Sequence, residues 1–519
     1  MKDLFHSRRH FLQATGAVAI AAPVATAFGL QLAAFSAATS QVAGSGYKAI
    51  VCIFQLGGND GNNTVLASDA DSWGRYWSAR NTGSDPIALM PVGTAPVGVG
   101  ATSNVTGRVS ALNRPEAWGG ILPIVPKTVQ PIPAGTNSST RTFGLHPMLA
   151  PILPVYNQGR LAVIANVGSL VEPITKAQYT ARSRRTPVNL FSHNDQQAVW
   201  QSGLSEGVRK GWGGQFGDLL ASGNGTNSLY TAISTAGNAV FLAGQSIIQY
   251  QVSTGATPAV RINAATGNSL FGSSIAPARM TEIIQDIGFG ANMGADYAGV
   301  VRRSMGAATA LNTAATGPLV TAIPPPPIYT NPITGNVETN SLSVQLQTVA
   351  RMIAAAPALG LRRQVFFVAM GGHDSHDFQN AAQPNNLAKM AQAMATFDAT
   401  LANIGGVDMR SAVTTFTASD FSRTFTTNGD GTDHAWGGHH FVMGGAVKGG
   451  DIYGQYPTLG VDLGTFQNPD MTRGSMIPTM SVDQYGATIG AWFGISNTDL
   501  AVIFPNLRNF SAPNLGFMV

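Results

Sequence analysis

The hydrophobic positions of the chain are concentrated in four short runs, at residues 47–56, 161–167, 365–370 and 411–417. Each run is rich in β-branched and aromatic residues and is bounded by turn residues, which favours strands that are buried on both faces. A polar segment follows each run, and segments with helical spacing lie between them. The pattern predicts an α/β fold with a large, mostly parallel central sheet flanked by helices.

Helical spacing is clearest in two segments, at residues 341–356 and 386–401, where apolar residues recur every three or four positions. Shorter helical patterns occur at residues 146–157, 280–287 and 296–312. Helices between parallel strands are expected to cover the two faces of the sheet.

Two stretches interrupt this pattern and are interpreted as insertions, near residues 81–140 and 225–340. The first is rich in Pro, Gly, Ser and Thr and is expected to hold only short strands. In the second, apolar runs between Gly turns at residues 225–275 favour a β-rich insertion. The prolines at residues 323–329 require an extended backbone, since they remove hydrogen-bond donors. Residues 44–519 are therefore expected to form a single domain with these insertions.

The charge content argues against a nucleic-acid-binding function, and the single cysteine is given a structural interpretation. Charged residues make up 11% of the 519 residues, less than half of the usual share, and the formal net charge is +4. No basic stripe interleaved with aromatic residues is present, so a nucleic-acid partner is not expected. The single cysteine, Cys52, lies in an apolar run and is interpreted as a buried small hydrophobic residue.

The first 43 residues resemble a twin-arginine export signal. Arg8 and Arg9 precede an Ala-rich apolar run that extends to about residue 34. The interpretation is a signal segment at residues 1–43 and a periplasmic or secreted protein. An uncleaved anchor is the alternative, since the run is nearly long enough to span a bilayer. In that case the leader is the only expected contact with the membrane.

Residues that can bind metal ions follow several of the predicted strands. Because the carboxyl ends of parallel strands meet at one edge of a sheet, these residues are expected to lie close together. Carboxylates and imidazoles around one or two divalent ions are suited to the hydrolysis of phosphate or sulfate esters. The ligand types allow Zn²⁺ or Mn²⁺, whereas Ca²⁺ prefers fewer histidines. The candidate metal ligands are Asp60, Asp374, His376, Asp420, Asp433 and His434.

The candidate catalytic residues are Ser192, His193 and Arg423. Ser192 precedes a helical pattern, and the backbone N–H groups at a helix N-terminus attract anions, which suits a hydroxyl that attacks a phosphoryl or sulfuryl group. His193 or Arg423 is then expected to steady the anion. A serine at this position is equally well explained as a helix cap, and Asp60 is equally well explained as part of a Gly/Asn turn.

A set of motifs occurs in a fixed order along the chain. It includes GGNDGNNT at residues 57–64, SHNDQQAVWQSG at 192–203, GGHDSHDFQ at 371–379 and SDFSRTFTTNGDGTDH at 419–434. Together these motifs closely resemble the bacterial exported family known as domain of unknown function 1501 (DUF1501), over most of residues 47–495. That family is similar to the alkaline phosphatase/sulfatase superfamily, which implies a large α/β domain with a site of the two-metal type.

The resemblance implies roles for individual residues. Ser192 stands where the nucleophile of the superfamily falls, and Asp420 stands where the family usually has Glu, so its carboxylate reaches about one methylene less. The metal ligands implied by the resemblance are Asp60, Asp374, His376, Asp420 and His434.

Two functions from different classes follow from these observations. The first is an exported, metal-dependent hydrolase that acts on a small or polymeric phosphate or sulfate ester. The alternative is a secreted, non-catalytic binding or assembly protein that retains the hydrolase fold and has a protein partner in the cell envelope. The altered motif positions and the long Gly/Thr/Pro-rich excursions favour the alternative.

Overall fold

Nine strands form one large mixed sheet in the part of the chain that is described by a computed structural model. The described residues are 46–132, 138–204, 207–254, 265, 267–286, 292–460 and 474–519. The predicted signal segment at residues 1–43 lies outside them. Among the described residues, no helix combines the length and the apolar character that are needed to span a bilayer.

The strands are numbered along the chain, and three small ones pair in a separate sheet in the order β2-β4-β3. The large sheet has the order β13-β5-β12-β11-β1-β10-β6-β7, with β14 paired to β5, and β8 pairs with β9. The strands are β1 (Lys48–Gln55), β2 (Val65–Ala67), β3 (Leu122–Ile124), β4 (Phe143–Leu145), β5 (Leu161–Gly168), β6 (Ala232–Ser234), β7 (Tyr250–Gln251), β8 (Tyr329–Thr330), β9 (Val337–Glu338), β10 (Arg363–Met370), β11 (Val413–Ser419), β12 (Gly438–Met443), β13 (Asp451–Tyr453) and β14 (Met480–Ser481).

The large sheet is parallel except for β12, which runs antiparallel to both of its neighbours. This arrangement confirms the predicted α/β class, with a mostly parallel sheet flanked by helices. The helices are α1 (Ala70–Arg80), α2 (Pro115–Trp118), α3 (Leu153–Asn157), α4 (Lys176–Thr180), α5 (His193–Ser202), α6 (Trp212–Leu220), α7 (Ala276–Ile284), α8 (Asn292–Ala315), α9 (Pro318–Thr321), α10 (Ser341–Ala355), α11 (Gln379–Leu401), α12 (Val482–Phe493) and α13 (Asn497–Ile503).

Both faces of the sheet are buried, because successive side chains of a strand point to opposite faces. In β1, Ala49, Val51 and Ile53 belong to one hydrophobic core, and the alternate residues belong to the other. Helices α10 and α11 pack in the first core, and α6, α12 and α13 pack in the second. Cys52 is 2% exposed, which confirms its assignment as a buried residue.

The strand ends are aligned so that the motif-bearing loops meet. Gln55 at the end of β1 pairs with Met370 at the end of β10 and with Ser419 at the end of β11. Strand β12 starts at the same edge, where Gly438 pairs with Val167 of β5. The loops after β1, β10 and β11 therefore leave the sheet side by side.

In the described part of residues 225–275, which excludes 255–264 and 266, the predicted β-rich insertion is largely replaced by other structure. Strand β6 extends the large sheet by parallel pairing with β10, β7 pairs in parallel with β6, and Val240–Leu242 is a 3-10 helix. Helices α7, α8 and α9 follow. The two strands and the 3-10 helix are only two or three residues long, and segments of this length do not distinguish strand from helix by periodicity.

Helix α11 starts seven residues earlier than the sequence pattern indicated, and it contains Pro384. Two glutamines of its first turns bind the loop after β1. Gln379 Nε2 donates to Asp60 Oδ2 at 2.7 Å, and Gln383 Nε2 donates to the Asp60 carbonyl at 2.9 Å. These contacts stabilise a helical start that local propensity disfavours.

The buried carboxyl group of Asp483, in the first turn of α12, makes folding stability depend on pH. It is 2% exposed and accepts a hydrogen bond from the Asn506 N–H at 3.3 Å, and burial raises its pKa from 3.8 to about 7. Between these two pH values the folded state holds a proton that the unfolded state has lost, so stability falls as the pH rises. The Asp483→Asn variant should lack this term, which amounts to at most about 4 kcal/mol. Urea unfolding at about pH 5 and about pH 8 measures about 3 kcal/mol of it, the part that falls above pH 5, and parallel pH dependence in both proteins would contradict the assignment.

Candidate functional site

Three histidines and one aspartate converge where the loops after β10 and β11 meet the start of α5. His376 Nε2 and His434 Nε2 lie 2.8 Å apart. Asp374 Oδ1 lies 3.3 Å from His376 Nε2 and 3.4 Å from His434 Nε2. The other oxygen of Asp374 lies 3.5 Å from His193 Nε2. We call these four residues the ligand group.

Each imidazole of the ligand group is held through its other nitrogen by an oxygen acceptor. His193 Nδ1 lies 2.7 Å from Asp420 Oδ2, and His376 Nδ1 lies 3.3 Å from Asp433 Oδ1. His434 Nδ1 lies 2.8 Å from the carbonyl oxygen of Phe191. An acceptor at Nδ1 places the proton there and leaves the lone pair of Nε2 directed at the common centre. Metal-binding histidines are oriented in this way.

The spacing of these atoms fits a small divalent ion. Ligand atoms of a tetrahedral Zn²⁺ site lie about 3.4 Å apart, because each is about 2.1 Å from the ion. The three contacts of Asp374 with imidazole nitrogens measure 3.3, 3.4 and 3.5 Å. Ligand atoms of His193, Asp374 and His434 all lie within 4.8 Å of one another. The ligand group therefore fits one ion, with His376 beside it.

The pKa values of the adjacent imidazoles of His193 and His434 are shifted in opposite directions. The hydrogen bond to Asp420 raises the pKa of His193, although burial opposes the shift. Burial lowers the pKa of His434, and the charges of Arg423, His193 and His376 add to that effect, while its bond to Phe191 opposes it. His434 is thus favoured as the neutral form that a metal ion requires. A proton on His193 competes with an ion, so affinity for metal should fall in acid.

The carboxylate of Asp374 remains ionised in this setting. Burial alone would raise its pKa, but the hydrogen bond and charge of Arg423 and the two nearby histidines lower it overall. Its side chain is 47% exposed, and those of His376, His193 and His434 are 42%, 31% and 23% exposed. The ligand group is therefore open to solvent on one side.

Arg423 is placed at the site, but its donors are already used. Its side chain is inaccessible to solvent and contacts Asp374 Oδ1 through Nη2. The remaining donors bind backbone carbonyl oxygens from three loops, those of Gly57, Gly58, His373 and Thr432, and Nη1 also faces His376 Nε2 at 3.4 Å. The predicted role in steadying an anion is not supported by this geometry. Arg423 instead holds the loops after β1, β10 and β11 together.

Asp420 and Asp433, predicted as ligands, stand behind the histidines. Asp420 is fully buried, and its Oδ2 accepts from His193, from the Gly57 N–H and from Gln197. Asp433 faces His376 Nδ1. The shorter carboxylate at position 420 is sufficient for this task, because it needs to reach only the far side of an imidazole ring.

Asp60, also predicted as a ligand, lies outside the ligand group in a buried ion pair. Arg80 donates to both of its oxygens, at 2.5 and 3.1 Å, and neither side chain is accessible to solvent. The Asn62 N–H and Gln379 Nε2 supply one further hydrogen bond to each oxygen. All four acceptor positions of the carboxylate are therefore occupied. The turn interpretation describes Asp60, and its buried partner Arg80 was not recognised in the sequence.

Ser192 caps α5, as the structural interpretation of the sequence held. Its Oγ accepts from the Asp195 N–H at 3.5 Å and donates to Asp195 Oδ2 at 2.8 Å. The Ser192 hydroxyl is thus hydrogen-bonded to the carboxylate of Asp195. Ser192 immediately precedes His193 of the ligand group. Its geometry is compatible with both the cap and the nucleophile.

The Phe191 carbonyl is a functional group that the sequence did not indicate. Phe191 has a φ of 75°, and Asn189 has a φ of 49°, so this loop adopts a left-handed backbone that non-glycine residues rarely take. The conformation places the carbonyl oxygen against His434 Nδ1. Backbone acceptors carry no side-chain signal, and only the positions of the chain segments reveal them.

The comparison with protein families agrees with the resemblance noted from the motifs. The profile of the family described as "Protein of unknown function (DUF1501)" matches residues 47–503. This range contains the whole ligand group and the residues that orient it. A search of curated proteins finds no match to the chain.

Proposed function

The chain belongs to the DUF1501 family, and we propose that it is an exported, metal-dependent hydrolase of phosphate or sulfate esters. The observation that carries this proposal is the ligand group. Three imidazoles point Nε2 at one carboxylate, and each is oriented by an acceptor at Nδ1. Export is supported by the paired arginines and the apolar run of the leader.

The chain's residues divide the work of such a site. His193, Asp374 and His434 would hold one divalent ion, with His376 beside it. A bound ion would neutralise nonbridging oxygens of the ester and lower the pKa of a water or hydroxyl. The ligand types fit Zn²⁺ or Mn²⁺ better than Ca²⁺. Asp420, Asp433 and the Phe191 carbonyl orient the imidazoles.

Ser192 is the candidate attacking group in this proposal. Asp195 Oδ2 is 2.8 Å from its hydroxyl oxygen and is placed to accept the proton. The N–H groups at the start of α5 are placed to attract the anionic ester.

Substitution of Ser192 separates attack from capping. Ser192→Asn keeps a good N-cap residue but has no hydroxyl, whereas Ser192→Ala removes both and should cost about 1 kcal/mol of stability. Both variants should lose ester turnover by several orders of magnitude if the hydroxyl attacks. Unfolding by urea and hydrolysis of aryl phosphate and aryl sulfate should be measured on the same preparations. Normal turnover by Ser192→Asn would remove Ser192 from the reaction and leave it only as a cap.

One observation favours the non-catalytic alternative. Asp60, which the superfamily resemblance places among the ligands, is fully engaged by Arg80, Asn62 and Gln379. Among the described residues, a single group that could share one ion is found, rather than the two-ion site implied by the resemblance. A binding protein that keeps one structural ion would have this arrangement.

Metal content and turnover of the natively exported protein discriminate between the two functions. We expect about one equivalent of Zn²⁺ or Mn²⁺ by elemental analysis, together with hydrolysis of a phosphomonoester, a phosphodiester or an aryl sulfate. Chelation should abolish turnover, and the same ion should restore it. Folded protein with the ion bound and no turnover on any of the three esters would support the binding protein.

A further inference from the structure

Positive charge is concentrated in one segment of this weakly charged chain. Residues 169–191 contain four cations, Lys176, Arg182, Arg184 and Arg185, and Glu172 as their one carboxylate. The segment therefore carries a net charge of +3, compared with +4 for all 519 residues. We call residues 169–191 the basic segment.

The basic segment is hydrogen-bonded to His434 and to Trp436. At one end, the carbonyl oxygen of Phe191 accepts from His434 Nδ1 at 2.8 Å. At the other end, the carbonyl oxygen of Ser169 accepts from Trp436 Nε1 at 2.8 Å. Between them, the Tyr179 ring lies 6.2 Å from the Trp436 ring. The segment thus encloses the indole of Trp436 and forms one side of the site.

The arginines of the basic segment are available to a ligand. Arg182, Arg184 and Arg185 are all exposed. Arg184 and Arg185 share Glu172, at 2.9 and 3.6 Å, and their side chains remain 49% and 63% exposed. One carboxylate does not neutralise two guanidinium groups. The Arg182 N–H donates to the Tyr179 carbonyl at 3.0 Å, which holds this residue on the turn beside Trp436.

The loops after β10 and β11, which carry Asp374, His376 and His434, have the other sign of charge at their exposed residues. Asp377 is exposed, and Asp430 and Asp433 are partly exposed, in the loops after β10 and β11. An anionic chain is repelled there and attracted to the arginines. The ligand group itself is partly exposed, whereas a pocket for a small molecule usually encloses most of its ligand. These charges, and the contact of the basic segment with His434 and Trp436, therefore favour an extended anion that runs from the ligand group to the basic segment.

We propose that the substrate is a polyanionic chain that carries repeated phosphate or sulfate groups. One group is placed at the ligand group, and the next groups along the chain contact Arg182, Arg184 and Arg185. This inference rests on the proposed function, but it makes a separate statement about binding.

The test compares two double variants that remove equal charge. Arg182→Gln/Arg185→Gln lies in the basic segment, and Arg302→Gln/Arg303→Gln removes two exposed arginines from α8. Binding of short-chain linear polyphosphate and of a sulfated oligosaccharide to the full chain is measured by calorimetry over a range of salt concentrations. The first variant should bind the preferred probe about tenfold more weakly than the wild type. Its slope of log affinity against log salt should be lower by about 1.4, because two phosphate contacts are lost. The α8 variant should bind as the wild type does.

The probe that binds, and that binds more weakly to the Arg182→Gln/Arg185→Gln variant, shows whether the repeated groups are phosphate or sulfate. Equal affinity of the two double variants for both probes, or no binding of either probe by the wild type, would overturn the inference. The Arg302→Gln/Arg303→Gln variant should hydrolyse a small aryl ester at the wild-type rate, since α8 contributes nothing to the ligand group or to the basic segment. Charge-dependent binding without turnover of any ester would refute the proposed function and retain the polyanion site. Turnover of small esters without charge-dependent binding would refute the polyanion site and retain the proposed function.

Discussion

Asp60→Ala is expected to lower the free energy of unfolding by about 3–5 kcal/mol and to leave the metal content unchanged. The substitution leaves the guanidinium of Arg80 buried without its partner, at a position with no solvent access. It also releases Gln379 of α11 and the Asn62 N–H. The loss should be measured by urea unfolding, and the metal content by elemental analysis of the same protein.

Two further variants make this result specific. Asp408→Ala breaks a half-exposed pair with Arg410 at 2.6 Å and should cost at most about 1 kcal/mol. The double variant Asp60→Ala/Arg80→Leu should be more stable than Asp60→Ala alone, because no unpaired charge remains buried. If Asp60→Ala instead lost the ion while keeping native stability, Asp60 would be a ligand, as its place after β1 first indicated.

His434→Ala is expected to abolish stoichiometric binding of Zn²⁺, with the fold retained. The residue contributes a ligand nitrogen and lies next to two other members of the ligand group. Asp420→Asn should weaken Zn²⁺ binding by about 10–100-fold, because it removes the charge that orients and polarises His193. Competition with a chelator of known affinity measures both effects, and the near-ultraviolet circular dichroism spectrum reports on the fold.

Asp377→Asn is the matched control for the aspartate. It is exposed, lies next to His376 in sequence and does not belong to the ligand group. Its Zn²⁺ affinity should stay close to that of the wild type. An Asp420→Asn variant that bound Zn²⁺ as tightly as this control would show that Asp420 does not act through His193.

The strands were predictable because a buried strand is indicated by a short run of apolar, β-branched and aromatic residues. The apolar run at residues 47–56 became β1, and its alternate side chains fill two different cores. The run at 411–417 was placed two residues too early relative to β11, a normal error at strand ends. The short strands β6 and β7 were harder to assign, because segments of two or three residues are too short for periodicity to distinguish strand from helix.

The region of the site was also predictable, but the roles within it were not. Asp374, His376 and His434 were placed together because they follow parallel strands that end at one edge of the sheet, and the structure brings them within 3.4 Å of one another. Asp60 and Asp420 satisfy the same rule of placement, yet one pairs with Arg80 and the other with His193. A carboxylate after a strand has several partners within reach, and the sequence does not rank them.

By itself, the sequence determined the fold class, the membership in the DUF1501 family and the edge of the sheet at which polar groups collect. Hydrophobic periodicity and the order of motifs are properties of the linear sequence, so they can be recognised without the structure. The tertiary structure alone decided which acceptor faces each imidazole, that the donors of Arg423 are taken up by Asp374, His376 and backbone carbonyl oxygens, and that the basic segment lies against Trp436. These are contacts between residues tens to hundreds of positions apart, and they depend on the register of β1, β10 and β11.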